Sequence, residues 1–384
     1  MVVRHKRGTL GVQGFLRVRC WRARARGMTE NSQGRVTAII PARNEEANIA
    51  RVVRSVAAQE SIREILVVDD ESQDRTGEIL RGLKAEIPEL RTIRLESLPE
   101  GWTGKSHAVA TAARQARGEW LLFTDADTEH LPGGVAALRA RAEREGVDLL
   151  SLSPGQRTPT VWEKAVIPLV YVHLARLYRF EEVSDPRSPA AAANGQYVLI
   201  RREVYERAGG HEAVRGEILE DVELARRVKA AGGRLLFLSG AAWVRTRMYQ
   251  SFSEMWSGWT KNLFLLYGRN LRRMFRSVAE RWLLDVSPAL AFLGLCAALA
   301  LGWGKAPLAY VVLGCLFVAG VRQWSYSRAL GRLGFDPRLA NYLVPGAVLF
   351  GLLVMSSARA YRIRRKVEWK GRDYSTRESK KGTG

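Results

Sequence analysis

The sequence predicts an α/β domain on a doubly wound parallel sheet, followed by apolar helices toward the C-terminus. Three observations predict it. Between residues 36 and 127, apolar runs of strand length alternate with stretches of helical periodicity, the signature of such a sheet. One run, Glu119-Trp120-Leu121-Leu122-Phe123-Thr124-Asp125-Ala126-Asp127-Thr128, reads as a buried strand that ends in two carboxylates. Beyond residue 283 come three apolar segments, two of them near the length that spans a bilayer.

Taken in order, residues 1–33 form a basic extension with eight Arg and Lys residues and no acid before Glu30. It has no apolar core of a secretory signal. It reads either as a membrane-touching arm or as residues upstream of a start at Met28. The domain proper is expected at 34–250. Val36-Thr37-Ala38-Ile39-Ile40 is a first strand, followed by a helix with Ile49, Val52, Val53, Val56 and Ala57 on its inner face. Ile65-Leu66-Val67-Val68-Asp69-Asp70 is a second strand that again ends in acids. A short helix over 76–84, a third strand over 91–95 and an Ala-rich helix over 106–117 lead into the strand at Trp120.

Open α/β sheets bind ligands at the carboxyl ends of their strands. Asp125 and Asp127 there are either ligands of a divalent cation that holds a phosphate, or ordinary loop acids. No Gly-x-Gly-x-x-Gly follows the first strand, which removes a Rossmann dehydrogenase. Gly101-Trp102-Thr103-Gly104-Lys105-Ser106 imitates a P-loop, but the first Gly of that pattern would fall at Pro99. Lys105 either touches a phosphate or is solvated.

Residues 159–180 are apolar with scattered charge, and a crossing there would put Asp127 and Asp221 on opposite sides of a membrane. They are expected as an amphipathic helix in the interface, or else as an ordinary packed helix. His173 within them reads as a packing or surface residue. Glu220 and Asp221 open a helix, where the dipole favours acids regardless of chemistry.

Residues 251–282 are expected as an amphipathic interfacial segment, 283–358 as transmembrane or re-entrant helices, and 359–384 as a basic cytoplasmic tail. The arginines at 322, 328, 332 and 338 argue for a cytoplasmic loop. Three full crossings cannot keep that loop, the tail and the catalytic domain on one side, so one segment is expected to be re-entrant or interfacial.

The net charge of +21 calls for an anionic partner. The excess of Arg lies at the two ends and around the apolar third, which favours a membrane surface. Basic patches without base-stacking aromatics in register argue against nucleic acid. Cys20, Cys296 and Cys315 have no metal-ligand spacing and imply no disulfide framework.

Pro41-Ala42-Arg43-Asn44-Glu45, Asp69-Asp70-Glu71-Ser72, Gly104-Lys105-Ser106 and Asp125-Ala126-Asp127 occur in order at sensible intervals. With Asn194-Gly195-Gln196 and Glu220-Asp221, this set resembles a family 2 glycosyltransferase. Trp102, Arg247-Met248-Tyr249, Trp259-Thr260-Lys261-Asn262 and Trp369-Lys370-Gly371-Arg372 are similar to the hopene-associated and carotenoid-type membrane members.

The resemblance implies a GT-A fold, a Rossmann-like mixed sheet that binds a nucleotide-sugar. It implies Asp127 as ligand of Mg²⁺ or Mn²⁺, with Asp125 beside it on metal or ribose. Pro41, Ala42 and Glu45 would frame the nucleotide, Asp70 would receive its base, which points to UDP, and Lys105 would lie at the phosphates. Asp221, with Glu220, would be the catalytic base of an inverting transfer.

Asn194, Gly195, Gln196, Trp259 and Lys261 would form the acceptor side, although interfacial anchoring also accounts for the last two. The Gln/Arg-x-x-Arg-Trp motif of processive polysaccharide synthases is missing at 255–262, so transfer of a single sugar is expected. The acceptor is expected to be a membrane lipid, a hopanoid or other polyisoprenoid derivative. The alternatives are a polyprenyl-phosphate acceptor and, outside enzymes, a basic membrane-surface binding protein. The expected location is the inner membrane, multi-pass, with the catalytic domain cytoplasmic.

Overall fold

The computed structural model describes residues 35–301, 306–364 and 366–375; the basic segment 1–33 lies outside them. Strand β1 (Val36–Ala42) leads through α1 (Ile49–Ala57) to β2 (Ile62–Asp70), then α2 (Thr76–Glu86), β3 (Leu90–Leu95), α3 (Gly104–Gln115) and β4 (Trp120–Phe123). Strands β1, β2 and β4 are buried almost throughout because helices cover both faces, whereas the edge strand β3 exposes Thr92 and Arg94. After β5 (Thr128–His130) and α4 (Gly134–Glu145) come β6 (Leu149–Ser153), β7 (Gly155–Gln156), β8 (Val198–Arg201), β9 (Leu235–Ser239) and β10 (Val244–Thr246).

The seven-stranded sheet runs β3-β2-β1-β4-β8-β6-β9. Its first four strands are parallel, but β8 is antiparallel to both β4 and β6. The sheet is therefore mixed, as the resemblance implies, and not wholly parallel. Two features follow for the site. β1 sits where the winding reverses, between β2 and β4, the switch point at which such sheets open a ligand crevice. The reversed β8 starts beside the end of β4, with Phe123 opposite Val198, so the loop over 194–196 lies on the acids that follow β4.

Helix α5 (Val161–Leu177) corrects the expectation of an amphipathic surface helix over 159–180. It is buried continuously from 165 to 173. Its one acid is buried and paired: Glu163 closes a capping box on Thr160 and takes a 3.0 Å ion pair from Arg247, while Arg176 makes a half-exposed pair with Glu280 at 3.4 Å. His173 packs between the rings of Tyr267 and Phe350.

After α6 (Glu220–Ala230) the chain forms α7 (Phe252–Leu266), α8 (Leu271–Arg281), α9 (Ser287–Ala300), α10 (Ala306–Arg332) and α11 (Leu343–Arg359). Helix α11 packs on both α5 and α7, building a second core apart from the sheet. The approach is close at Gly346, where a Cβ would come within 2.3 Å of the Ala165 carbonyl oxygen.

Among the described residues, two stretches are long and apolar enough to cross a membrane, Leu271–Ala298 and Pro337–Arg364. The middle apolar segment lies within α10. Helices α9 and α10 expose large apolar side chains along their length, among them Leu293, Leu313 and Phe317, the kind of surface that marks a membrane or partner contact. Where α8 meets α9, Asp285 is fully buried between Arg281 at 3.0 Å and Arg322 at 2.7 Å.

The tail expected from 359 onward is corrected over part of its length. Residues 366–375 form an antiparallel hairpin, β11 (Lys366–Trp369) and β12 (Arg372–Ser375), whose turn lies in the crevice at the sheet end.

Candidate active site

A continuous cleft of about 840 Å³ opens at the carboxyl ends of β1, β2 and β4 and continues toward α5 and α7. That size suits a nucleotide and part of an acceptor. All the expected site residues line it: Pro41, Ala42, Glu45, Asp70, Lys105, Asp125, Asp127, Asn194, Gly195, Gln196, Glu220, Asp221, Trp259 and Lys261.

The floor is the turn after β4. The Thr124 amide donates to the Ile39 carbonyl at 3.1 Å, and the Thr124 hydroxyl donates to the Gln196 carbonyl at 2.9 Å. Asp125 and Asp127 are thereby fixed between β1 and the loop before β8. One oxygen of Asp127 accepts from Gln196 Nε2 at 3.4 Å; the other, Oδ1, is buried without any hydrogen-bond partner. Burial, and then the carboxylates of Asp125 and Glu45, push its pKa up to about 7.

An ionised carboxylate buried with an oxygen unpaired is what a cation would relieve. Among the described residues no group of three or more His, Cys, Asp or Glu is placed to hold a metal alone. Asp127 and Asp125 are the residues that would hold a hard divalent ion, with oxygen donors of the kind such an ion prefers.

Lys105 projects from the first turn of α3, whose cap is the Thr103 side chain accepting from the Ser106 amide. Its ammonium bridges Asp125 at 2.7 Å and Glu220 at 2.9 Å. Burial opposes that charge, but Asp125, Glu220 and Asp221 together hold its pKa well above the usual lysine value. Lys105 thus ties the two acidic pairs together instead of standing in solvent. Gly195 makes room for it: a Cβ there would lie 2.6 Å from Lys105 Nζ.

Asp221 begins α6 and accepts from the amides of Gly195 at 2.7 Å and Val222 at 2.8 Å. Burial, and next the neighbouring Glu220, raise its pKa to about 6 despite Lys105 and those amides. A carboxylate held near neutrality at a cleft wall is suited to accept a proton.

The far arm of the cleft is apolar and aromatic. Trp259 packs edge-on against Tyr171 and Tyr249, with its indole N–H buried and unpartnered. Leu174, Ile218, Met248, Leu266 and Leu333 continue the lining. Lys261 lies at the junction of the two arms, its pKa lowered to about 8 by burial against the pull of Glu220.

Two site residues had been left in the tail by sequence reasoning. Lys370 pairs with Glu45 and donates to the Arg43 carbonyl at 3.0 Å. Arg372 grips Asp70 with two bonds, at 2.5 and 3.1 Å, and also pairs with Glu71. The signal that could have found them is Lys370-Gly371 between two short alternating segments, a two-residue hairpin pattern.

Comparison with known proteins follows this geometry. The family model for glycosyl transferase family 2 matches residues 37–209. A relative named 4,4'-diaponeurosporenoate glycosyltransferase, from Staphylococcus aureus, is 28% identical over 347 residues, 88% of each chain. Among solved structures, the mannosyltransferase PcManGT from Pyrobaculum calidifontis in complex with GDP-Man and Mn2+ aligns with TM-score 0.47 at 21% identity, over 88% of this chain and 95% of that one. S. aureus TarS 1-349 in complex with UDP aligns with TM-score 0.40 at 17% identity, over 90% and 97%.

Proposed function

We propose that this chain, a glycosyltransferase of family 2, moves a single sugar from a nucleoside-diphosphate sugar to a membrane lipid, inverting the anomeric configuration. The observation that carries the reading is the continuity of the cleft. Its acidic pole at Asp125 and Asp127 and its apolar arm at Trp259 and Tyr171 meet at Asp221. A donor seated at the sheet end and a lipid entering along the arm would bring their reacting atoms together there.

Asp125 and Asp127 would hold a divalent cation, Mg²⁺ or Mn²⁺, which when bound relieves the charge of a departing diphosphate. Pro41, Ala42 and Glu45 would frame the nucleotide at the end of β1, and Asp70 would meet the base, so a UDP-sugar is the first donor to try. Asp221 would take the proton of the acceptor hydroxyl as its oxygen bonds to the anomeric carbon. The bond from that carbon to the diphosphate oxygen breaks, and the nucleoside diphosphate leaves with the electron pair. No protein nucleophile is needed in a single displacement. Lys105 would hold Glu220 and Asp125 in place, and Asn194, Gly195 and Gln196 would position the acceptor side beside Asp221.

The apolar arm favours a polyisoprenoid-derived acceptor, of the carotenoid or hopanoid kind, and the curated relative's name supports a carotenoid-like one. The stretches Leu271–Ala298 and Pro337–Arg364 would seat the enzyme in the inner membrane, with the catalytic domain on the cytoplasmic side.

The test is a thermal-shift screen of the detergent-purified protein against UDP, GDP, CDP and their sugars, with and without Mn²⁺. Metal-dependent stabilisation by one nucleotide class, lost in Asp127→Ala, is expected. A folded protein that responds to none of them contradicts the reading.

A further inference from the structure

The hairpin at 366–375 lies far in sequence from the acids at the sheet end, yet its turn enters the cleft where a nucleotide would lie. The turn is of the two-residue type with positive φ at both positions, 48° at Lys370 and 72° at Gly371. Glycine takes that conformation freely, whereas a lysine is strained in it. Asn-Gly is the common solution there, so the lysine is present despite the backbone preference.

Three of the four non-glycine residues with positive φ among the described residues are Asn44, Glu71 and Lys370, all at this corner of the cleft. The opposite wall is cut away to match. A Cβ at Gly104 would fall 2.2 Å from an Arg372 guanidinium nitrogen and 2.5 Å from Asp70. Arg43 adds a bond from Nε to the Lys370 carbonyl at 3.2 Å, and its Nη1 donates to the Asp70 carbonyl at 2.7 Å.

The charges point the same way. Among the described residues, nine carboxylates line the cleft against five cations, and the hairpin supplies two of those five. The hairpin thereby lessens the excess of negative charge that opposes a diphosphate.

We infer that the 370–372 turn is part of the donor site: Lys370 contacts the diphosphate of a nucleoside diphosphate, and Arg372 orients Asp70 toward its base. This rests on the nucleotide-sugar reading above. On binding, Lys370 exchanges its bond to Glu45 for phosphate oxygens, while Arg372 keeps Asp70. The two residues extend recognition from the sheet to a hairpin that directly follows a candidate membrane span.

The experiment is calorimetric titration of the full chain in detergent with UDP, and with GDP and CDP, in the presence of Mn²⁺. It compares wild type with Lys370→Asn, Lys370→Arg and Arg372→Ala, and records the melting temperature of each without nucleotide. Lys370→Asn removes the charge but suits the turn, so its ligand-free melting temperature should equal or exceed wild type. Its affinity for the nucleotide should fall at least about tenfold, the loss expected for one charge-assisted contact. Lys370→Arg should retain most of the affinity, and Arg372→Ala should lose a similar factor.

Affinity unchanged in Lys370→Asn and Arg372→Ala would overturn the inference while leaving the nucleotide-sugar reading intact. Tighter binding in either would overturn it as well, because the turn would then obstruct the site. A wild-type protein that binds no nucleoside diphosphate would overturn both.

Discussion

Asp127 and Asp285 are both buried aspartates, one at the cleft floor and one where the apolar helices meet. Asp285 has Arg281 on one side and Arg322 on the other, both oxygens engaged at 3.0 Å or less. Asp127 has one oxygen at 3.4 Å from an amide and the other with no partner. The helical region uses its acid to fasten two helices together. The sheet region leaves its acid short of partners, which stability alone would not select. Of the four non-glycine residues with positive φ among the described residues, Asn44, Glu71 and Lys370 stand around the cleft and Arg269 stands between α7 and α8.

The contrast predicts opposite responses. The largest effect belongs to Asp221→Asn: sugar transfer should fall by about 10²–10⁴, the usual cost of losing a positioned base, while titration shows nucleotide binding preserved. Binding lost together with transfer would make Asp221 a donor residue instead.

Next is Asp285→Ala, which strands two arginines in the interior. It should cost about 3–5 kcal/mol, read as a lower melting temperature in detergent. Asp127→Asn should go the other way in metal-free buffer, gaining about 1–3 kcal/mol at pH 8. The sign follows from the raised pKa. A carboxyl with a folded value near 7 and an ordinary unfolded value loses folded-state stability as pH climbs from about 4 through 7. The advantage of Asp127→Asn should therefore shrink toward pH 4. A destabilised Asp127→Asn at pH 8 would end the comparison.

The smallest effect is the pH profile. Asp221 must be ionised to accept a proton, and burial beside Glu220 raises its pKa to about 6. Transfer should drop about tenfold for each unit below that value.

The acidic end of the cleft was legible in the sequence because its parts are local. The strands at Val67-Val68-Asp69-Asp70 and Leu122-Phe123-Thr124-Asp125 are apolar runs that end in acids, so the strand pattern put carboxylates at the sheet end, and the family resemblance singled out Asp70, Asp125 and Asp127 among them. The Asn194-Gly195-Gln196 and Glu220-Asp221 motifs were recognised as short strings, but not the reversal of β8 that lays the first on Asp127. Strand direction depends on partners far along the chain.

Helix α5 was misread for a related reason. Glu163 counts as exposed charge in a hydropathy pattern, whereas Arg247, more than eighty residues later, pairs with it in the interior of the fold. The hairpin was missed because the tail's basic composition concealed a ten-residue strand-turn-strand pattern, and its partners lie some three hundred residues earlier.

The most direct test of the account combines transfer and binding in one preparation. Purified protein is incubated with radiolabelled UDP-sugars or GDP-sugars, Mn²⁺ and polyisoprenoid lipids, and label entering the organic phase is counted for wild type and Asp221→Asn. The account predicts one donor that labels lipid with wild type, and transfer reduced at least a hundredfold in Asp221→Asn with nucleotide affinity unchanged. Undiminished labelling by Asp221→Asn, or a folded wild type that neither binds a nucleotide nor labels any lipid, would contradict it.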